Sequence, residues 1–237
     1  MVALVCAYEE EANLGGVLAR VPDKACGLEV TPLVVVDGGD DATDRVAMEA
    51  GAVTFVLPTN LGHGVALRVG YDLAVTARAQ YVVTLDADGQ NDPAEMEVLL
   101  QPLVDDEADF VVGSRRLGVD ETADAYRRAG VVWFAWLMNA LMGSSLTDTS
   151  NGYRALSVTM LSDVAHRLEQ DQYQTAELLI TAMSRGWRVV ERPTVWHERQ
   201  SGTSKKGGNF LYGFRYAAVV LSTWRRQRAE RREGVAR

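Results

Sequence analysis

The stretch YVVTLDADGQNDP, residues 81–93, decides the fold class of this chain. It begins as a run of apolar, aromatic and β-branched residues and turns abruptly polar at Asp86. Such a run predicts a strand buried on both faces of a parallel sheet, with a ligand-binding loop at its carboxyl end. Because alternate residues of an extended chain share a face, Asp86, Asp88 and Gln90 can converge on one point outside the strand.

The rest of the first half repeats this pattern. Similar runs occupy residues 2–7, 31–36, 52–57 and 109–112, with helical patterns between most of them. This alternation predicts an α/β fold with a Rossmann-like, mostly parallel sheet and helices on both faces. After Arg116 the pattern changes to an apolar helix near residues 131–142, more helix over 156–184 and an extended run over 187–197. We interpret this helical second half as part of the same domain.

Composition limits the classes of protein to which the chain can belong. With 237 residues, 47% apolar and 24% charged, it is long enough for one sizeable domain. Cys6 and Cys26 lack the spacing of a zinc site or a disulfide framework, which favours a reducing, cytoplasmic setting. The beginning does not resemble a signal peptide, and no run reaches the roughly 18 apolar residues that span a bilayer.

The net charge of −8 is unevenly distributed. From Arg199 onward ten Lys and Arg residues stand against two Glu residues, whereas the preceding part has fourteen against thirty acidic residues. The strongly acidic part before Arg199 argues against nucleic-acid binding. The apolar residues 210–224, flanked by basic ones, predict a helix lying on an anionic membrane; the alternative is a terminal helix docked on the domain. The helix of residues 131–142, with Trp133 and Trp136, is expected in the core, with lipid contact as the alternative.

The two aspartates after the strand of residues 81–85 are typical of a divalent cation site. Carboxylates at the end of a rigid strand can hold a cation that neutralises a diphosphate, and an oxygen-only set favours Mg²⁺ or Mn²⁺ over zinc. Taken alone, Asp86 and Asp88 fit equally well a solvated turn in which an aspartate caps the next helix. Their place between a buried run and Asp92-Pro93 favours the cation site.

Six motifs, in order along residues 2–206, resemble those of polyprenyl-phosphate (dolichol-phosphate) mannosyl and glucosyl synthases. Residues 85–93, LDADGQNDP, are similar to the LDADGQHDP of that family. The others are CAYEEEANL at 6–14 (PAYNEEENI in the family), NLGHG at 60–64 (NxGKG), GSR at 113–115 (GSR), DTSNGYR at 148–154 (DxTSGFR), and ERP with RQSGTSK between 191 and 205 (EVP with RxxGxSK). The synthases are metal-dependent, inverting family-2 glycosyltransferases of the GT-A fold. Cys6, Glu9 and His63 depart from the family's proline, asparagine and lysine.

This resemblance implies transfer of a mannose- or glucose-type hexose from a nucleotide sugar, of the GDP-mannose or UDP-glucose type, to a polyprenyl phosphate, with Mg²⁺ or Mn²⁺ as cofactor. It implies donor binding by Ala7, Tyr8, Glu10, Asp37, Gly62 and Asp86. It implies a metal site of Asp86, Asp88 and Gln90. The residues implied in catalysis are Asp88, Arg115, Arg199 and Lys205. Those implied in binding the acceptor phosphate are Arg127, Arg128, Arg154 and Ser204. Arginine suits phosphate because its planar guanidinium forms paired hydrogen bonds.

The acceptor decides whether a general base is needed. A lipid monophosphate, with a second pKa of about 6, is largely ionised near neutral pH and needs little help. A sugar hydroxyl would need a carboxylate, for which Glu177 and Asp148 are the candidates. For Glu177 an exposed helix charge is an equal alternative.

The family also implies domain limits and partners. We expect a GT-A domain over residues 1–206, with a nucleotide-sugar half (1–116) and an acceptor half (117–206), and then a C-terminal amphipathic helix with a basic tail (207–237). The enzyme would be peripheral on the cytoplasmic face of a membrane, and a separate membrane-anchoring subunit is a further candidate partner.

Two other functions stay open. One is a soluble family-2 transferase that acts on a natural product, glycan or protein, and the other is a non-catalytic nucleotide-sugar-binding subunit. Retention of Asp86, Asp88, Gln90 and the arginines disfavours the second. A nicotinamide enzyme is disfavoured because residues 8–11 after the first strand are YEEE and not GxGxxG.

Overall fold

The computed structural model describes residues 1–122, 125–199 and 209–235; in the helix that begins at Ala125 it describes side chains from Arg128, and in the helix that begins at Asn209 it describes those from Gly213 to Arg232. The strands are β1 (Val2–Ala7), β2 (Lys24–Ala25), β3 (Leu28–Glu29), β4 (Thr31–Val36), β5 (Val53–Val56), β6 (Tyr81–Asp86), β7 (Phe110–Asp120), β8 (Arg154–Ser157) and β9 (Val189–Trp196). The α-helices are α1 (Leu14–Leu18), α2 (Thr43–Glu49), α3 (His63–Thr76), α4 (Met96–Val104), α5 (Ala125–Met142), α6 (Val158–Val164), α7 (Gln174–Ser184) and α8 (Asn209–Val235).

Seven strands form one sheet in the order β5-β4-β1-β6-β8-β7-β9. Every neighbouring pair is parallel except those that involve β8, which runs antiparallel to both β6 and β7. The remaining strands, β2 and β3, form a small hairpin. The predicted α/β fold with a mostly parallel sheet is therefore confirmed. The segment expected to be helical began at Leu156, and this is wrong for Leu156 and Ser157, because they belong to β8, which fills the gap in the sheet between β6 and β7.

Helices cover both faces of the sheet, as the buried strands require. Along β1, Leu4 and Cys6 belong to one hydrophobic cluster and Ala3 and Val5 to the other. The first cluster continues into α3 and α5 to α8, and the second into α1, α2 and α4. This two-sided burial explains why the strand sequences are nearly continuous apolar runs.

Helix α8 packs against the protein along one side. Tyr216 and Val220 are buried in the same cluster as residues of α3, α5 and α7. The prediction that the apolar side of this helix lies on a membrane is therefore wrong for Tyr216 and Val220, and the docked alternative describes them. No helix in the described part of the chain is both long enough and apolar enough to cross a bilayer.

Helix α5 is only partly a core helix. Phe134 and Met138 are buried, as expected for an aromatic helix in the core. Trp133 and Trp136, by contrast, are 46% and 63% exposed. The expectation that both tryptophans lie in the core is therefore wrong, because the tryptophans fall on the side of α5 that faces away from the sheet.

Candidate active site

The loop after β6 presents two carboxylates at the carboxyl edge of the sheet. Asp86 and Asp88 are both half-buried. The main-chain N–H of Asp86 donates to Oδ1 of Asn91 (3.2 Å), and the N–H of Gln90 donates to Oδ1 of Asp88 (3.1 Å). These bonds fold the loop back toward its strand. A neighbouring loop approaches so closely that a β-carbon at Gly152 would lie 3.0 Å from Oδ1 of Asp86.

Gln90 joins this loop to the end of β9. Its side-chain Nε2 donates to the carbonyl of His197 (3.1 Å), and its own carbonyl accepts from the N–H of His197 (2.9 Å). The residue is buried, so the amide nitrogen is engaged within the protein. Through these contacts Gln90 positions the segment that follows β9. Its role as a metal ligand stays a prediction.

Arg199 lies where three segments meet. Its guanidinium forms an ion pair with Glu10, in the loop after β1, and lies 3.6 Å from Oδ2 of Asp88. The N–H of Glu10 in turn donates to Oγ1 of Thr43 at the start of α2 (2.8 Å). The structure thus brings together two acidic residues and one arginine that are far apart in the sequence, and each of them was predicted to be in the site.

The other predicted donor-binding residues lie beside this cluster. The buried Asp37, at the end of β4, accepts hydrogen bonds from the N–H groups of Leu61 (2.8 Å) and Gly62 (3.0 Å). Ala7 is buried at the end of β1 and Tyr8 is half-buried next to it. Since β1 lies between β4 and β6 in the sheet, these residues form one edge. Asp37 holds the loop of residues 60–62 in place there.

A second loop supports residues 62–64 from behind. The N–H of Gly64 donates to the carbonyl of Asp171 (2.8 Å), and a β-carbon at Gly64 would lie 2.2 Å from the carbonyl oxygen of Gln170. Gly62 has φ +103°, a conformation that favours glycine. These contacts explain the two glycines of the motif at 60–64.

Glu177 fixes this supporting loop and is not available as a base. It is fully buried on α7, and its carboxylate accepts from the N–H groups of Glu169 (3.0 Å) and Gln170 (2.9 Å) and from Arg226 of α8 (2.5 Å). Glu177 was a candidate base for a sugar-hydroxyl acceptor, with an exposed helix charge as the alternative. The exposed alternative is wrong because the side chain is enclosed, and its occupied oxygens do not support the base.

Arg115 and Asp148 form a buried ion pair. Two hydrogen bonds of 2.6 and 2.8 Å join the guanidinium to the carboxylate, and Trp196 lies 4.8 Å from the guanidinium. Burial alone would raise the pKa of Asp148, but the hydrogen bonds and charge of Arg115 outweigh it and lower that pKa. Asp148 is therefore an ionised structural group and not an exposed base. Arg115 is oriented into the protein, and its predicted catalytic role is not supported by these contacts.

Arg154 is also enclosed. Its guanidinium donates to the carbonyls of Asn151 (2.7 Å), Thr175 (2.5 Å) and Thr149 (3.0 Å) and is fully buried. A side chain that is bound to three carbonyls holds the loop before β8, so its predicted contact with the acceptor phosphate is not supported. Arg128 is exposed near the start of α5, where it donates to the carbonyl of Thr122 (2.6 Å). The side chain of Arg127, with Ser204 and Lys205, lies outside the described residues.

The family model described as glycosyl transferase family 2 matches residues 2–164. The chain belongs to that family. A dolichyl-phosphate hexose transferase of Haloferax volcanii is 35% identical, with 83% of this chain and 82% of the relative aligned. A polyprenol monophosphomannose synthase of Mycolicibacterium smegmatis is 29% identical over 100% of this chain and 91% of its own length. An undecaprenyl-phosphate mannosyltransferase of Micrococcus luteus is 28% identical over 94% and 93%.

The solved structures agree on the fold of this family-2 glycosyltransferase. Glucosyl-3-phosphoglycerate synthase from Mycobacterium tuberculosis, in complex with phosphoglyceric acid, superposes with a TM-score of 0.74. The alignment covers 94% of this chain and 79% of that one at 20% identity. At this level of identity the likeness supports the fold, and it confirms the expected GT-A architecture.

The residues at this site of the family-2 glycosyltransferase supply only part of the oxygen ligands that a hard divalent cation needs. Asp86 and Asp88 supply carboxylate oxygens, the ligands that Mg²⁺ and Mn²⁺ prefer. Among the described residues no three His, Cys, Asp or Glu side chains are grouped as a complete cage. A site of this kind suits a cation that takes further oxygens from a bound diphosphate, as Mg²⁺ commonly does.

Two residues in the quoted motifs received no role from the sequence. Glu191 on β9 accepts from the N–H groups of Thr147 and Asp148, both at 2.7 Å, and Gly152 lets its loop reach Asp86. Their presence in recognisable motifs was the available signal. Only the three-dimensional structure shows that they place the loop of residues 147–153 beside the two aspartates.

Proposed function

We propose that this family-2 glycosyltransferase transfers a hexose of the mannose or glucose type, with inversion, from a nucleotide sugar to a polyprenyl phosphate. Three relatives with names for polyprenyl- or dolichyl-phosphate sugar transfer support the lipid acceptor. The observation that carries the proposal is the enclosure of Glu177 and Asp148, the two base candidates. A phosphate acceptor is already ionised and works without either of them.

The donor would bind at the edge formed by β4, β1 and β6. Asp37 holds the loop of residues 60–62, and Ala7, Tyr8 and Glu10 line the neighbouring end of β1. Asp86 and Asp88 would hold the cation, Mg²⁺ or Mn²⁺. When it is bound, the cation neutralises the charge that develops on the departing diphosphate. A structure of the M. tuberculosis synthase was solved with Mn²⁺ and uridine diphosphate, which supports this cofactor class.

The acceptor phosphate would enter on the side of Arg199. This guanidinium lies 3.6 Å from Oδ2 of Asp88, next to the place proposed for the donor diphosphate. Arg127, Arg128, Ser204 and Lys205 are the further candidates for this contact. Catalysis would then depend on in-line positioning and on neutralisation of charge, not on proton abstraction.

The lipid acceptor implies a place at the membrane. We propose that the enzyme is peripheral on the cytoplasmic face, where nucleotide sugars and polyprenyl phosphate meet, with a separate anchoring subunit as a candidate partner. The described part of α8 shares one hydrophobic core with the rest of the protein. We therefore propose that residues 1–206 and α8 act as one unit, with a nucleotide-sugar half before residue 117 and an acceptor half after it.

A water-soluble phosphorylated acceptor is the second candidate. It is favoured by the likeness to the M. tuberculosis synthase, which was solved with phosphoglyceric acid. Both acceptors present a phosphate group, so the same arginines could bind either one. They differ in whether transfer requires an isoprenoid chain.

The test is a sugar-transfer assay with GDP-mannose and UDP-glucose. Each donor is offered with a short-chain polyprenyl phosphate, with phosphoglycerate, or with no acceptor, in Mg²⁺, Mn²⁺ or EDTA. We expect a glycolipid product that depends on the metal. Asp88→Ala should lower turnover by about a hundredfold or more, whereas Asp72→Ala, an exposed change on α3, should not. Full activity in EDTA would exclude the metal, and transfer only to phosphoglycerate would exclude the lipid acceptor.

A further inference from the structure

Helix α5 carries an apolar face that nothing in the described protein covers. The exposed side chains along this face are Val132 (44%), Trp133 (46%) and Trp136 (63%). Ala129 and Ala140 are exposed on the same side. The opposite face of the helix, with Phe134 and Met138, packs into the core. Two exposed tryptophans on one helix are unusual, because water-exposed indole rings forgo a large hydrophobic gain.

The start of α8 extends this face. Phe214 is 71% exposed, and its neighbour Gly213 lies so close to Phe134 that a β-carbon there would be 3.8 Å from the ring. The ring of Phe134 also contacts Trp133 edge-on, with centroids 5.3 Å apart. About three turns further along α8, Trp224 donates to the carbonyl of Leu141 on α5 (3.1 Å). We call Val132, Trp133, Trp136 and Phe214 the aromatic patch.

The charged residues on α5, and on α8 as far as Ala229, are all basic. The sequence has no Asp or Glu between Asp124 and Asp148, and none from Arg199 to Ala229, although the chain has 32 acidic residues. Arg128 is exposed one turn before Val132, and Arg215 is exposed directly after Phe214. An apolar surface flanked by exposed arginines, on helix segments (α5, and α8 as far as Ala229) that contain no acidic residue, complements an anionic surface.

We propose that the aromatic patch inserts into the headgroup region of an anionic lipid bilayer and holds the enzyme at the membrane surface. Tryptophan is favoured there because its ring is apolar and its N–H is polar, and arginine is favoured beside anionic lipids. This inference rests on the proposed function, since a polyprenyl phosphate acceptor is presented at such a surface. The membrane contact is thereby assigned to α5 and the start of α8, and not to the apolar side of α8 that is buried in the core.

A second copy of the chain is a less suitable occupant. In a symmetric dimer the same patch faces itself, which would bring Arg128 and Arg215 close to their own copies without acidic residues to compensate. Repulsion between these arginines would oppose such a contact. An anionic bilayer, by contrast, gains from each of these charges.

The test is flotation of the full chain with vesicles of phosphatidylglycerol and phosphatidylcholine, compared with phosphatidylcholine alone. The variants are Trp136→Ser and Trp133→Ser/Trp136→Ser. The control is Val98→Ser, which changes a 42% exposed residue on α4, across the sheet from α5. We expect wild type and control to float with anionic vesicles at low salt. The single variant should bind the anionic vesicles about tenfold more weakly than wild type, and the double variant should remain in the lipid-free fraction. Binding by the wild type should weaken as salt rises.

Removal of α8 is not a usable test, because it would take Tyr216 and Val220 out of the core, expose the apolar residues of α5 and α7 packed against them, and unfold the protein. Equal flotation of wild type and the double variant would overturn the proposal, as would a wild-type dimer that the double variant abolishes. Transfer to short-chain polyprenyl phosphate in solution should be the same for wild type and the double variant. If the wild type shows no such transfer, the proposed function fails, whereas the vesicle result still decides the role of the patch.

Discussion

Arg226 of α8 donates a hydrogen bond of 2.5 Å to the fully buried carboxylate of Glu177 on α7. The same carboxylate holds the N–H groups of Glu169 and Gln170, and the loop that contains them supports Gly64. A chain of direct contacts therefore runs from the last helix to the proposed donor site. Glu177 connects α8 to the supporting loop in this series of contacts.

Replacement of Glu177 by glutamine tests this structural role. The amide keeps one acceptor oxygen but loses the negative charge opposite Arg226, which should lower the free energy of unfolding by roughly 1.5–3 kcal/mol. Thermal unfolding should show a fall of several degrees. Glu169→Gln, which alters the 68% exposed second partner of Arg226, should cost under about 1 kcal/mol. A large loss of kcat in Glu177→Gln at unchanged stability would instead identify a general base.

Asp148 makes stability depend on pH. Its folded-state pKa lies below the ordinary value of about 3.9, so the ionised group stabilises the protein above that pH, and this contribution is lost as the pH falls through the folded pKa. Asp148→Asn should cost roughly 3–5 kcal/mol at pH 7, because Arg115 is left buried without its charge partner. In urea unfolding, the difference from wild type should shrink below about pH 4.

The matched control for this prediction is Asp163→Asn. Asp163 forms a similar two-point pair with Arg185 (2.5 and 2.6 Å), but the pair is about one-third exposed. Solvent screening should reduce its effect to under about 1 kcal/mol. A difference between Asp148→Asn and wild type that is the same at pH 7 and pH 3.5 would contradict the ionised pair.

Arg199 should oppose cation binding and favour donor turnover. Its guanidinium lies 3.6 Å from Oδ2 of Asp88, so a cation bound to that carboxylate would lie near a like charge, and two like charges about 4 Å apart repel by about 1 kcal/mol in water. Arg199→Ala should therefore bind Mn²⁺ alone several-fold more tightly in a calorimetric titration. The same change should lower kcat/KM by about ten- to a hundredfold, because a charge-assisted bond to phosphate is lost.

Arg20→Ala is the control for Arg199→Ala. Arg20 lies 4.0 Å from Asp92, which belongs to the same loop as Asp88, but Arg20 is more exposed than Arg199. It should change neither measurement by more than about twofold. Weaker Mn²⁺ binding by Arg199→Ala would show that the guanidinium does not compete with the cation.

Gly64→Ala should disturb the contact by which the loop of Gln170 and Asp171 supports residues 62–64. The added methyl group would lie 2.2 Å from the carbonyl oxygen of Gln170, and a main-chain atom cannot yield as a flexible side chain does. We expect a loss of roughly 1–3 kcal/mol in stability and a higher KM for the nucleotide sugar. Gly16→Ala, at a position in α1 with open space around it, should be neutral or slightly stabilising. Equal behaviour of the two variants in denaturant unfolding would refute the close approach.

The fold could be predicted from the sequence because its signal is local. Each long apolar run before residue 113 became a strand, since a strand buried on both faces must be apolar along its whole length. β8 could not be predicted: its four residues are too few to show a period, and only the gap between β6 and β7 makes them extended. The exposure of Trp133 and Trp136 was missed because an apolar helix has no polar stripe to mark its outer side.

The candidate site could be predicted as a set of residues but not as a set of contacts. The positions of Asp37, Asp86 and Asp88 follow from the ends of parallel strands, which meet at one edge. The roles of arginines do not follow in this way, because a guanidinium binds a phosphate and a buried carboxylate equally well. Arg115 and Asp148 are 33 residues apart, and Arg226 and Glu177 are 49 apart. Such partners are chosen by packing, which the motifs do not encode.

The position of β8 has a consequence for how the protein is made. β1, β4, β5 and β6 can pair as soon as they leave the ribosome, but β7 pairs only with β8 and β9, which are synthesised later. At about 5–20 residues per second, the growing chain carries β7 without a partner for some seconds. An unpaired apolar strand is a site for pairing with other chains. This interval is the one in which the nascent protein is most exposed to aggregation, and translation that stops between residues 121 and 153 would release a chain that cannot complete its sheet.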